Sequence, residues 1–114
     1  PLSSNVRRHT RMHPDVEALA DRLHKAVAIL ERHKVEHWAY WLRGDEAKIR
    51  ALDFYGIEHL LSAFGGMGSI NDLGLVVPHP ENPSMLATSP EDETFQALLD
   101  EIHRLAVKLG REER

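Results

Sequence analysis

Apolar residues recur at three- and four-residue steps early in the chain, at Val16, Leu19, Leu23, Ala26, Val27 and Leu30. That period marks a helix with one buried stripe. It predicts a first helix over residues 15–34, opened by Pro14 or Asp15, because the fixed φ of proline suits a first helical turn. A second, shorter helix is predicted over 35–43, carrying Trp38, Tyr40, Trp41 and Leu42, with Gly44 as its end. Asp45 then reads as the cap of a third helix through residue 53, with Ile49 and Leu52 turned inward. A fourth is predicted over 54–64, with Ile57, Leu60, Leu61 and Phe64 on one face. Gly56 is either a close helix contact or a break between the third and fourth.

The pattern changes after Phe64. The stretch FGGMGSINDLG, residues 64–74, holds four glycines. Gly65 suits the left-handed position that ends a helix, and Gly66 reinforces the stop. Gly68 allows close backbone approach, Met67 and Ile70 plug the core, and Ser69, Asn71 or Asp72 caps a following turn. LGLVV, 73–77, reads as a short strand or an extended core segment. Residues 78–90 contain four prolines and read as a loop. The last helix has caps in Thr88 and Ser89, Pro90 in its first turn, and Glu91, Asp92 and Glu93 at its positive end. Its stripe is Phe95, Leu98, Leu99, Ile102, Leu105, Ala106 and Leu109. The fold class expected is mainly α: a small single-domain bundle of four to five helices over 12–114, with a glycine-rich corner and one short extended segment. Residues 1–11, PLSSNVRRHTR, fall outside this pattern and read as a disordered tail, a tag or a mis-assigned start.

Composition narrows the function classes. A chain of 114 residues fits one domain with a real core. It has no cysteine, which excludes a disulfide scaffold, a thiolate nucleophile and a cysteine-based zinc site. No apolar run approaches the roughly 18 residues of a membrane span, so no membrane partner and a cytoplasmic location are expected. Net charge is −4, with no Lys or Arg anywhere from Ala51 to His103. Nine acids lie in that segment: Asp53, Glu58, Asp72, Glu81, Glu91, Asp92, Glu93, Asp100 and Glu101. An acidic body argues against nucleic acid and for a basic protein partner, with an acidic face expected on the last helix. The oligomeric state is left open, a homodimer included.

Three motifs invite chemistry. HKVEH, His33 to His37, matches the H-x-x-E-H of inverted zinc proteases, with both histidines on one face if the helix is continuous. It sits where two predicted helices meet, and the further acidic ligand such enzymes need is not visible, so no metal site is assigned. The glycine-rich stretch has no P-loop lysine and follows a helix rather than opening one, so no phosphate-binding role or cofactor is assigned. Glu58 and His59 are adjacent and diverge by about 100° on a helix, so spacing alone makes no dyad. Trp38 and Trp41 share a helix face and read as core. No catalytic residue is assigned. The candidate binding residues are Trp38, Trp41, Tyr55, Glu58, His59, Gly65, Gly66, Met67, Gly68, Ser69, Asn71 and Asp72.

WAYWL, Trp38 to Leu42, and YGIEHLLSAFGGMGSINDL, Tyr55 to Leu73, carry a resemblance. Together they resemble a family of small uncharacterised bacterial proteins with a W-x-x-W-L segment and a YG-x-E-x-L-x-x-F-GGMGS-x-NDL signature. The resemblance covers about residues 12–109 and implies a soluble, mainly helical bacterial protein, with no established activity or site residue. The function expected is a non-enzymatic protein-interaction module with an acidic surface. A toxin-neutralising immunity-type protein is one concrete version. The alternative is a small-ligand or metal-dependent enzyme using Glu58, His59 and residues 65–72.

Overall fold

The computed structural model describes residues 13–65 and 68–112. Gly66, Met67 and the tail 1–11 lie outside the described residues. Helix α1, Pro14–Arg32, begins as its sequence predicts, with Pro in the first turn. His13 caps it by accepting the Asp15 N–H on Nδ1 at 3.0 Å. The helix ends where the Val35 N–H bonds to Leu30 O and the Lys34 N–H to Glu31 O. Lys34 stands at φ 59°. This is a Schellman closure with lysine where glycine is usual.

The next segment departs from the prediction. Residues expected to form two helices separated at Gly44 form one, α2, Glu36–Arg50. Gly44 is inside it, and Asp45 is no cap but a buried residue in its middle, 1% exposed. Leu42, Asp45 and Ile49 are buried at steps of three and four, so a single stripe runs through the glycine. Helix α2 closes like α1: the Asp53 N–H bonds to Lys48 O at 2.8 Å and the Leu52 N–H to Ile49 O at 3.0 Å. Leu52 takes the left-handed position at φ 61°. It therefore points outward, 52% exposed, and not into the core as its spacing predicts.

Helix α3, Tyr55–Leu61, is shorter than the predicted 54–64. It buries Gly56, Ile57 and Leu60, and Gly56 proves to be a close helix contact. A Cβ there would meet Lys48 Cβ at 2.9 Å. Gly65 does adopt positive φ, at 84°, as does Gly68 at 80°. Ile70 plugs the core at 0% exposure and opens a 3-10 turn, Ile70–Asp72. The 73–77 segment yields strand β1, Val76–Pro78. The predicted 78–90 loop is partly ordered, because Leu86–Thr88 forms β2 and pairs antiparallel with β1, Val77 opposite Ala87.

Helix α4, Asp92–Glu112, carries the expected stripe, with Phe95, Leu98, Leu99, Ile102, Ala106 and Leu109 buried and Leu105 packed at the margin. Ser89 precedes it, accepting the Glu91 N–H on Oγ at 3.1 Å. Helix α1 packs on α2 and α4, and α3 packs on the same two, so all four share one core. Helix α1 also supplies cations to the expected acidic face: Arg22 bonds Glu101 at 3.1 Å and Arg32 bonds Glu91. That face is thus partly neutralised in space by residues remote in sequence. Among the described residues no helix is long and apolar enough to cross a membrane.

The two α2-facing glycines make opposite predictions. Nothing lies within 4 Å of a Cβ at Gly44. Gly44→Ala should therefore stabilise the fold by about 0.5–1 kcal/mol through helix propensity. Gly56→Ala should destabilise it by about 1–3 kcal/mol, since two helices must part to admit the methyl. Thermal melts of both variants check this. A loss of stability in Gly44→Ala would place a helix end at residue 44.

Candidate functional site

The left-handed turn at Leu52 sends α3 back along α2, and two features form on opposite sides of that junction. The first is a cleft of about 470 Å³ lined by Leu52, Asp53, Phe54, Tyr55, Ile57, Glu58, Leu61 and Gly110. Its floor is apolar: Ile57 is buried, and Gly110 of α4 would bring a Cβ to 3.6 Å of Ile57 Cγ2. Its rim is Leu52 and Tyr55, the latter 77% exposed. Its charged groups are the Asp53 and Glu58 carboxylates. Asp53 Oδ1 accepts the Tyr55 N–H at 3.2 Å, which fixes the start of α3.

The second feature joins Trp38, Trp41, Asp45 and His59. His59 Nδ1 is hydrogen-bonded to Asp45 Oδ1 at 2.5 Å. Its ring stacks on Trp41 with centroids 4.2 Å apart and planes 17° apart. Trp41 in turn packs on Trp38 at 5.2 Å, and His37 lies edge-on to Trp38 at 4.7 Å. Trp41 and Asp45 are one turn apart on α2, so a single helix face presents both the stacking ring and the acid. Burial pushes the Asp45 carboxyl above its ordinary range, opposed by the His59 bond and by the charges of His59 and Lys48. Asp45 Oδ2 and Trp41 Nε1 are buried without a hydrogen-bond partner. Ser62, the hydroxyl nearest in sequence, donates to the His59 carbonyl at 2.6 Å, so it is not poised as a nucleophile on the ring.

The glycine-rich corner forms a third place. Asn71 Oδ1 accepts the Gly65 N–H at 3.1 Å, and Asp72 Oδ2 accepts the Gly68 N–H at 3.1 Å. These side chains reach back and hold the turn that precedes them; the Ser69 Oγ also donates to Asn71. A shallow pocket of about 270 Å³ beside it is lined by Phe64, Gly65, Asn71, Gln96, Leu99, Asp100 and His103. Gln96 is committed there to Leu73 O and Asp92.

The expected site residues are thus distributed. Tyr55 and Glu58 share the cleft, Trp38, Trp41 and His59 share the aromatic stack, and Gly65, Gly68, Ser69, Asn71 and Asp72 build the corner. Glu58 and His59 face different features. Asp45, Leu52, Phe54 and Gly110 were not among the expected site residues. An unbroken reading of α2 exposes Asp45 as an acid inside an apolar stripe, which is the signal that finds it.

The HKVEH premise of a continuous helix is not met, because Lys34 breaks it. His33 Nε2 lies 3.1 Å from Glu91 Oε1 and 3.4 Å from Ser89 Oγ. Both partners sit on one ring nitrogen, whereas a serine–histidine–acid relay needs one on each. His13, Asp15 and Glu112 bring three potential metal ligands within 4.8 Å of one another. There the His13 Nδ1 already caps α1 and Asp15 is held by Lys108 at 2.6 Å.

Residues 31–82 match the model of a family described as Domain of unknown function (DUF6966). The match spans α2, α3, the glycine corner and β1, and so contains the aromatic stack and every cleft residue except Gly110. No curated protein and no solved structure matches the chain.

Two outcomes test this geometry. A raised folded-state pKa means that the folded protein holds the Asp45 proton more tightly than the unfolded chain. The stability this contributes is fully present below the ordinary value of 3.8 and is lost as pH rises through the folded pKa. Denaturant unfolding should therefore show wild type losing ground to Asp45→Asn as pH climbs from about 4 towards neutrality. A difference independent of pH would mean that the carboxyl is not desolvated. Gly65→Val should cost more than about 1 kcal/mol, because a β-branched residue fits poorly at positive φ. An unchanged melt would place Gly65 in ordinary backbone.

Proposed function

We propose that this protein is a non-enzymatic protein-interaction module of the cytoplasm that docks its partner at the cleft beside Leu52. Leu52 is the observation that carries this reading. A left-handed leucine costs about 1 kcal/mol relative to an ordinary conformation, and glycine would fill that helix-ending position without the penalty. The side chain kept at that cost is 52% exposed. Its neighbour across the rim, Tyr55, is 77% exposed. An apolar rim around a concave site, with no use in the core, supports a role in contact with another molecule. The Asp45–His59 bond on the far side supports it further by fixing α3 to α2, which keeps the cleft shaped before binding. A toxin-neutralising immunity-type protein is one concrete form of such a module.

One observation favours a second reading. An acid-held histidine stacked on tryptophan is an arrangement that orients a ring for proton transfer or ligand contact. A small-ligand or metal-dependent enzyme centred on His59 would lose its activity in His59→Gln while retaining partner capture through the cleft.

Quantitative mass spectrometry of proteins captured from native cells separates the readings. Wild type, Leu52→Gly and Tyr55→Ala are compared. Leu52→Gly removes the rim side chain at a position suited to glycine, so its stability should stay within about 1 kcal/mol of wild type. A genuine cleft partner should fall by about fivefold or more in both variants, since truncating a contact residue that matters to binding costs more than about 1 kcal/mol. Retention of every captured protein by both variants would remove the cleft as the docking site.

A further inference from the structure

We infer that the cleft recognises a lysine or arginine side chain, presented by a partner segment with apolar residues on either side. This inference rests on reading the cleft as the partner site. Its charged lining is wholly anionic: Asp53 and Glu58, with no Lys, Arg or His among the lining residues. Among the described residues neither carboxylate takes part in an ion pair. Several acids elsewhere on the surface are engaged: Asp15 with Lys108, Asp21 with Lys25, Glu31 with Arg43, Glu46 with Arg50, Glu91 with Arg32 and Glu101 with Arg22. The cleft is thus a place where negative charge is left unneutralised beside concave apolar surface. Gly110 adds to it, since it lies in the last turn of α4, where the helix presents the negative end of its dipole.

A cation on an aliphatic stem meets each of these features. The carboxylates take the charged head, with charge-assisted hydrogen bonds stronger than neutral ones. The exposed Tyr55 ring offers a face for cation–π contact. Leu52, Ile57 and Leu61 offer apolar surface to the methylenes, in the way that long basic side chains bury their stems and keep their heads polar. A neutral apolar occupant would instead desolvate two carboxylates without compensation, and an anionic one would be repelled. The cleft volume of about 470 Å³ leaves room for apolar neighbours of the basic residue. A partner segment meets that requirement and a free small amine does not.

Two peptides test the inference on the full chain: acetyl-Leu-Lys-Leu-Arg-Leu-amide and its neutral counterpart acetyl-Leu-Gln-Leu-Gln-Leu-amide. Each is titrated into isotope-labelled protein at low salt and followed by amide chemical shifts. The cationic peptide should bind at least about fivefold more tightly, the size expected of a partly desolvated ion pair, and should move the signals of Tyr55, Glu58 and Gly110. High salt should reduce the preference to below about twofold, because the Debye length then falls to a few Å. The Asp53→Asn, Glu58→Gln double variant should do the same at low salt, and the salt arm decides if that variant does not fold. Equal affinities, shifts confined to other regions, or no shifts with either peptide would overturn the inference. A cellular partner that depends on Leu52 and Tyr55 but is indifferent to the two carboxylates would also overturn it while leaving the interaction reading intact. Absence of any partner dependent on Leu52 and Tyr55 would remove both.

Discussion

The left-handed closure of α2 is the constraint on which the candidate site depends. Asp53 and Leu52 donate back to Lys48 and Ile49, and the chain reverses within four residues. Helix α3 must then lie against the helix it has just left. Lys48 comes so close to Gly56 that no side chain fits between them. The same reversal sets His59 on Asp45 and turns Tyr55 and Glu58 to the opposite side, over Ile57 and Gly110. One backbone conformation therefore decides both the contact of His59 with the buried Asp45 and the open cleft. Its conformational cost at Leu52 is small beside the core it closes, where Leu42, Ile49, Ile57 and Leu60 are all at most 2% exposed.

The Asp45–His59 contact solves a problem that this packing creates. A carboxylate inside an apolar stripe costs free energy unless it is hydrogen-bonded or paired. His59 supplies the bond from α3, and Trp41 covers the ring from one turn earlier on α2. The pair is specific because each partner is held by the helix that carries it, so sliding of α3 would leave the acid unpaired. A polar contact of this kind is a poor source of stability and a good source of registry. Its position behind the cleft fits that division: apolar burial holds the helices together and the buried acid fixes where they meet.

Helices with a clean apolar period were legible in the sequence. The stripes of α1 and α4 lie where the residues place them, and Gly65 stands in the conformation its position implies. The α2 region was misread for a physical reason. Glycine is the usual residue just past a helix end, and Gly44 offered that signal in the wrong place. The true ends put Lys34 and Leu52 in left-handed backbone, which neither residue advertises. Cutting the segment at Gly44 then made Asp45 look like a cap, since aspartate is common there, and concealed the Leu42–Asp45–Ile49 stripe. The hairpin was missed because three-residue strands flanked by prolines carry too little alternation to read. The cleft depends on Gly110 meeting Ile57 across a separation of more than fifty residues, and no local pattern records such a contact.

The distribution of charge follows from the same packing. A segment without cations from residue 51 to 103 looks like a continuous acidic surface in sequence. Folding brings α1 alongside α4, and Arg22 and Arg32 meet Glu101 and Glu91 there. Among the described residues Glu58 of α3 and Asp53 just before it have no such cationic partner, and both line the cleft between α3 and the end of α4. Net acidity alone therefore says little about where a partner binds. What matters is which carboxylates the fold leaves unpaired beside apolar surface, and Asp53 and Glu58 meet both conditions. The physical case for the cleft rests on this coincidence of unspent charge, exposed leucine and exposed tyrosine, each of which would be unremarkable apart.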